Sequence, residues 1–181
     1  QLPSILNQLR QRGLTLEIKG CIHIGAHEGQ EYPLYQHLGI QNLLFYEALP
    51  ENFKKLEENT KNDPHIDIRN IALGNHKGTV EMFLEERGLS SSVLEPAYHL
   101  KQYPQIAFDK KTTVNITRLD DEEFDVSKYN FINIDVQGYE LNVLKGAEKT
   151  LENIDLIISE INKEEMYKDC AKVEDLDDYL S

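Results

Sequence analysis

The sequence predicts an α/β fold, a mostly parallel sheet with helices on both faces, and three observations carry that prediction. Leu16, Ile18, Ile22 and Ile24 form an apolar run that ends in Gly25-Ala26-His27-Glu28-Gly29, ahead of a helix-prone stretch holding Leu34 and Leu38. Short apolar runs then alternate with helix-patterned segments, which is the rhythm of parallel strands joined by crossover helices. Three of those runs close on an acid: Glu47, Asp135 and Glu160.

The elements follow in order. Ser4 can cap a short amphipathic helix with Ile5, Leu6 and Leu9, ended by Gly13. The first strand is Lys19–Ile24 and the first helix Glu28–Leu38, with Gly39 just past its end. Asn42–Glu47 is the second strand, and Pro50 opens a helix through Lys61 on which Phe53 and Leu56 share a face. Ile66, Ile68 and Ile71 mark a third strand running on to Gly74. Thr79–Leu84 and Thr112–Thr117 read as extra strands, flanking an Arg87–Ser92 loop and a segment of weak pattern up to Lys111. Tyr129–Val136 is a strong strand, Leu141 to Leu151 recur at helical spacing, and Ile154–Glu160 is a further strand. Residues 163–181 form an acidic, helix-patterned tail.

With 181 residues and no linker or repeat, the chain is expected to be one domain: an N-terminal helix over 1–13, a core over 19–161 and a tail over 162–181. The net charge of −13, without a local basic patch, argues against nucleic acid or anionic lipid as a partner. No apolar run reaches the roughly 18 residues that span a membrane. Cys21 and Cys170 are read as free thiols of a reducing compartment, so the expected location is cytoplasmic.

The glycine turn suits a ligand because glycine allows close backbone approach, and a helix N-terminus offers unpaired N–H groups to an anion. It lacks the third glycine of the dinucleotide fingerprint GxGxxG, which weakens the case for a nicotinamide-dependent reductase. Glu47 lies 22 residues past Gly25, near the spacing at which an acid accepts ribose hydroxyls. Asp135 and Glu160 end their strands on the side where open parallel sheets bind ligands; Asp135 could equally cap the following helix. His23 and His27 straddle a strand end and would not share a face, so no metal is expected there. Ser91 and Ser92, after Gly88, are candidates for a substrate-side loop.

Taken together, His23–Glu31, Tyr46-Glu47-Ala48, Asn70–Gly74, Ser91-Ser92, Thr117–Asp120 and Asp135–Ala147 resemble the FkbM family of S-adenosylmethionine-dependent methyltransferases. The likeness runs from about Lys19 to Ile161 and is most specific over Asp135–Ala147. It implies the class I methyltransferase fold, a Rossmann-like sheet, and transfer of a methyl group to a hydroxyl of a small acceptor such as a sugar or glycan. It also implies that the fold's closing C-terminal strands are missing here.

Under the resemblance, His23 and Gly25 to Gly29, including Ala26, His27 and Glu28, hold the methionine part of S-adenosyl-L-methionine. Glu47 and Ala48 take the ribose, Ala72 and Leu73 the adenine, and Asp135, Val136 and Gln137 the methionine end. Asp135 is the first candidate for the base, followed by Glu160 and His27. His23 and His27 stand where the family usually has Asp and Asn. A non-catalytic Rossmann-like module of a larger assembly is the alternative.

Overall fold

The computed structural model describes residues 2–84, 91–94, 110–160 and 170–181. In chain order the elements are α1 (Leu2–Gln11), β1 (Gly20–Ile24), α2 (Tyr32–His37), β2 (Asn42–Tyr46), α3 (Pro50–Thr60), β3 (Ile66–Arg69) and β4 (Ala72–Leu73). There follow β5 (Gly78–Leu84), β6 (Lys110–Thr117), β7 (Phe131–Ile134), α4 (Glu140–Lys145), α5 (Glu148–Leu151), β8 (Leu156–Ser159) and α6 (Val173–Leu180).

Five strands form one sheet in the order β3-β2-β1-β7-β8, and every neighbouring pair is parallel. A central parallel strand is covered on both faces, which is why every residue of Gly20–Ile24 is buried. Side chains alternate across the sheet. Ile22, Ile24, Leu44, Ile132 and Ile134 face Val143 and Leu144 of α4 and Leu176 of α6. Cys21, Leu43, Phe45 and Phe131 face Leu2 of α1, Tyr35 of α2 and Leu56 of α3. Helices therefore lie on both faces, and the fold is Rossmann-like as the pattern predicts. A second sheet, β4-β6-β5, pairs β4 parallel and β5 antiparallel to β6.

Three elements differ from the sequence reading. The first helix begins at Tyr32 rather than Glu28, because turns occupy the preceding residues and His27 and Gly29 adopt positive φ. Pro33 then fits the first turn, where no N–H is required. The third strand splits. Asn70 Nδ2 donates to the carbonyls of Glu47 (2.8 Å) and Ala48 (3.1 Å), and beyond it Ala72-Leu73 leaves the main sheet to pair with β6. The helix over Leu141–Leu151 breaks at Gly146, which packs so closely that a Cβ there would stand 1.9 Å from the Gly74 carbonyl oxygen.

The Arg87–Ser92 loop and the weak segment to Lys111 fall largely outside the described residues, as do residues 161–169 at the start of the tail. Among the described residues no helix is long and apolar enough to cross a membrane.

Candidate active site

Register decides which side chains meet. Ile24 pairs with both Tyr46 and Ile134, and Ile134 pairs with Ser159. The next residues, Gly25, Glu47, Asp135 and Glu160, therefore emerge together at the carboxyl end of the sheet. Backbone bonds continue the ladder there: Asp135 N–H donates to Ile24 O at 2.9 Å, and Glu160 N–H to Ile134 O at 3.2 Å. All four residues line one cleft of about 480 Å³, a size common for small-molecule sites.

The turn after β1 is held by β2. Gly25 and Ala26 both donate their N–H groups to Tyr46 O at 2.9 Å. Gly25 has φ +81°, and a Cβ on it would stand 1.9 Å from the Asp135 carbonyl oxygen, so only glycine lets β1 and β7 end side by side. Glu47 Oε2 accepts the His27 N–H and Oε1 accepts the Leu49 N–H, both at 2.8 Å. Burial raises the Glu47 pKa against the lowering effect of those two bonds. The Asn52 side chain also bonds this carboxylate, and its remaining lone pairs keep acceptor capacity for a hydroxyl donor.

His27 adopts φ +50° and its Nδ1 faces Gln30 Nε2 at 2.7 Å. An amide nitrogen can only donate, so Nδ1 accepts and a ring proton sits on Nε2. That Nε2 is buried without a hydrogen-bond partner among the described residues, on a ring that lines the cleft. The N–H groups of Gly25, Ala26, His27 and Gly29 are taken up within the protein, so the orphaned ring nitrogen is a polar atom this turn leaves for a ligand.

The second turn carries Asp135. Gln137 (φ +53°) donates from Nε2 to Asp135 Oδ1 at 2.7 Å, and its own carbonyl accepts Ser92 Oγ at 2.7 Å. Tyr139, not Asp135, occupies the N-cap position of α4, so the Asp135 carboxylate is free of that role. Burial first, and the Glu160 charge second, push the Asp135 pKa up to about 7. Glu140 is a residue the sequence reading missed. Its buried carboxylate accepts the Gly138 N–H at 3.0 Å and, through further backbone bonds, Val136, which secures the turn from below. An acid in the first turn of a helix was the available signal.

His23 sits on the floor of the cleft and is committed to the protein. Asn133 Nδ2 lies 3.3 Å from its Nε2 and Tyr35 OH 3.3 Å from its Nδ1, while Asn133 also donates to Tyr35 OH at 2.9 Å. Nε2 is thus the acceptor and Nδ1 holds the proton. Complete burial lowers its pKa to about 3, so it stays neutral. Burial likewise raises the Cys21 thiol far above its ordinary value, which leaves that cysteine unreactive.

Of the predicted residues, His23, Gly25, His27, Glu47, Ala48 and Ala72 line the cleft, as do Leu73, Ser91, Asp135, Val136, Gln137 and Glu160. Four do not. Ala26 is packed in the core, the Glu28 carboxylate pairs with Lys55 on α3, and Gly29 lies against Leu56. Ser92 is fully buried, its backbone paired with Phe83 and its Oγ donating to the Gln137 carbonyl. Leu49, Ile71, Met82 and Tyr139 line the cleft without having been singled out. They are apolar positions whose pattern signals core and ligand wall alike.

A Rossmann-like sheet with a glycine turn, an acid closing β2 and carboxylates ending β7 and β8 places a cleft at the carboxyl ends of the strands, where open α/β sheets bind ligands. The family comparison agrees: residues 23–181 match the methyltransferase FkbM domain, and the chain belongs to that family. It is 27% identical over 157 residues to the 2-O-methyltransferase NoeI of Sinorhizobium fredii, covering 81% of this chain and 65% of that protein. It is 28% identical over 134 residues to the hexuronic acid methyltransferase AglP of Haloferax volcanii, covering 73% of this chain and 52% of that protein. The chain thus spans about two thirds and about half of the lengths of these relatives. No solved structure matches.

Proposed function

We propose that the chain is an S-adenosyl-L-methionine-dependent O-methyltransferase acting on a hydroxyl of a sugar or glycan. The observation that carries this reading is the single cleft shared by the Gly25 turn, Glu47 and Asp135. Family membership and the names of the two relatives support it.

The residues fit the cofactor. Glu47 would accept the ribose hydroxyls with the acceptor sites left open by its two backbone bonds and its Asn52 bond. The orphaned His27 Nε2–H would meet the methionine portion, and Ala72 and Leu73, with Met82, would flank the adenine. When bound, the cofactor supplies an electrophilic sulfonium methyl. Asp135 is our candidate for the base that takes the acceptor hydroxyl's proton, since a hydroxyl is a weak nucleophile at neutral pH. A pKa near 7 suits that task, and Glu160 is the group that helps raise it. His27 ranks behind both as a base, since its Nδ1 is engaged by Gln30. We assign the reaction to the cytoplasm, in keeping with two buried free cysteines.

Thermal unfolding with S-adenosylmethionine, S-adenosylhomocysteine or NAD tests the reading. A ligand at about 100 times its dissociation constant stabilises by roughly 2.7 kcal/mol, a shift of several degrees for a domain of this size. A shift with the two adenosyl compounds alone is expected. A shift with NAD alone overturns it, and no shift favours a binding module instead.

A further inference from the structure

Gln137 is held at φ +53°, a conformation that side-chain-bearing residues seldom adopt. Such a residue persists where its surroundings over-determine it, and such residues cluster at functional sites. Two contacts hold this one. Ser92 Oγ donates to the Gln137 carbonyl at 2.7 Å, and the next N–H, that of Gly138, donates to Glu140 Oε1 at 3.0 Å. Ser92 is itself fixed. It is fully buried, its backbone bonds Phe83 of β5 in both directions (2.8 and 3.1 Å), and its Oγ accepts the Leu94 N–H at 3.0 Å. In the turn so held, Gln137 lines the cleft and its Nε2 donates to Asp135 Oδ1 at 2.7 Å. An ionised carboxylate only accepts hydrogen bonds, so this donor favours the charged form of Asp135. It also fixes the plane of the carboxylate, and with it the place of the second oxygen. A base needs both, since it must be ionised to take a proton and placed to reach the hydroxyl.

Resting on the reading of Asp135 as the base, we propose that Gln137 is its positioning residue and that Ser92, paired to β5, sets Gln137 through its carbonyl. The Gln137 bond opposes burial and the Glu160 charge, which push the Asp135 pKa up. Among the described residues, Glu160 beyond β8 and Glu140 of α4 act on Asp135 by charge, and His23, His27, Glu31 and Glu47 line the same cleft. All six stay unaltered in the test.

The titration of the Asp135 carboxyl is followed by carbon-13 NMR in the ligand-free parent, in Gln137→Met, in Ser92→Ala and in the double variant. Gln137→Met keeps the length of the side chain and removes the donor, so the midpoint should move up from about 7 by about one pH unit. Ser92→Ala should move it in the same direction. Added to Gln137→Met it should move it no further, because Ser92 acts through Gln137. Gln137→Glu, which keeps the length but brings a like charge, is the second variant should Gln137→Met fail to fold, and its midpoint should rise at least as far. An unchanged midpoint in either folded Gln137 variant overturns the proposal, even where the melting temperature falls. Shifts that add in the double variant overturn the part given to Ser92. The midpoint of methyl transfer against pH should rise with the NMR midpoint; a rate midpoint that stays put while the carboxyl's moves counts against Asp135 as base. The NMR reading needs no turnover, so absence of methyl transfer would count against the proposed function alone.

Discussion

The His27 backbone N–H donates to Glu47 Oε2 at 2.8 Å, which ties the turn after β1 to the acid that closes β2. The same carboxylate takes the Leu49 N–H at the entrance to α3. Glu47 therefore organises two turns before any ligand arrives, and its charge is held in a buried place by backbone dipoles. Replacing it disturbs the frame and, with it, the proposed contact to the ribose.

Glu47→Gln keeps the shape but presents an N–H₂ where one of those backbone donors needs an acceptor. A buried donor left unpaired costs about 1–3 kcal/mol. Chemical denaturation should read that loss. S-adenosylhomocysteine affinity, measured by calorimetry, should fall by about tenfold or more. Unchanged affinity with reduced stability would assign Glu47 a structural role only.

Gly25 and Gly39 separate strain from close approach. Both have positive φ, but a Cβ on Gly39 meets nothing within 4 Å, whereas on Gly25 it would stand 1.9 Å from the Asp135 carbonyl. Gly39→Ala should cost about 1 kcal/mol, the conformational strain alone. Gly25→Ala should cost clearly more and abolish cofactor binding, since β1 and β7 must move apart. Equal melting temperatures for the two variants would contradict the packing at this turn.

These positions also show what was legible in the sequence. Gly25, Glu47, Asp135 and Glu160 were visible because each follows an apolar run, and parallel register then brings strand ends together. The Asn70 break was not visible, because Ile66 to Leu73 is apolar at nearly every other position and only the side-chain bonds of Asn70 divert the chain. The start of α2 was misjudged for a related reason. Nothing local marks His27 for positive φ, which is held by its N–H bond to a residue 20 positions away. His23 and Ser92 carry chemistry-bearing side chains, and their burial could be learned only from what packs around them.

His23 makes stability pH-dependent. Folded, it stays neutral down to about pH 3; unfolded, it takes up a proton below its ordinary value of 6.5. Between those values the unfolded chain binds more protons, so the contribution of His23 is complete above pH 6.5 and is lost as the pH falls. The slope is at most about 1.4 kcal/mol per pH unit. His23→Gln, which cannot titrate, should lose less stability between pH 7 and pH 4.5 in urea unfolding than the parent does. Parallel losses would mean that the imidazole is hydrated in the folded chain.

Asp135 gives the final prediction, because its pKa depends on a neighbour that can be neutralised. With Asp135 as base, the ionised form is active, so methyl transfer should rise with pH through about 7. Glu160→Gln removes the like charge that helps hold the proton on, so the Asp135 pKa falls and the midpoint of the profile moves to lower pH. Asp135→Asn should lower kcat by about 10²- to 10⁴-fold, the usual worth of a positioned base. A profile that keeps its midpoint in Glu160→Gln would uncouple the two carboxylates. A fully active Asp135→Asn enzyme would transfer the role to another group in the cleft, with Glu160 the next to replace.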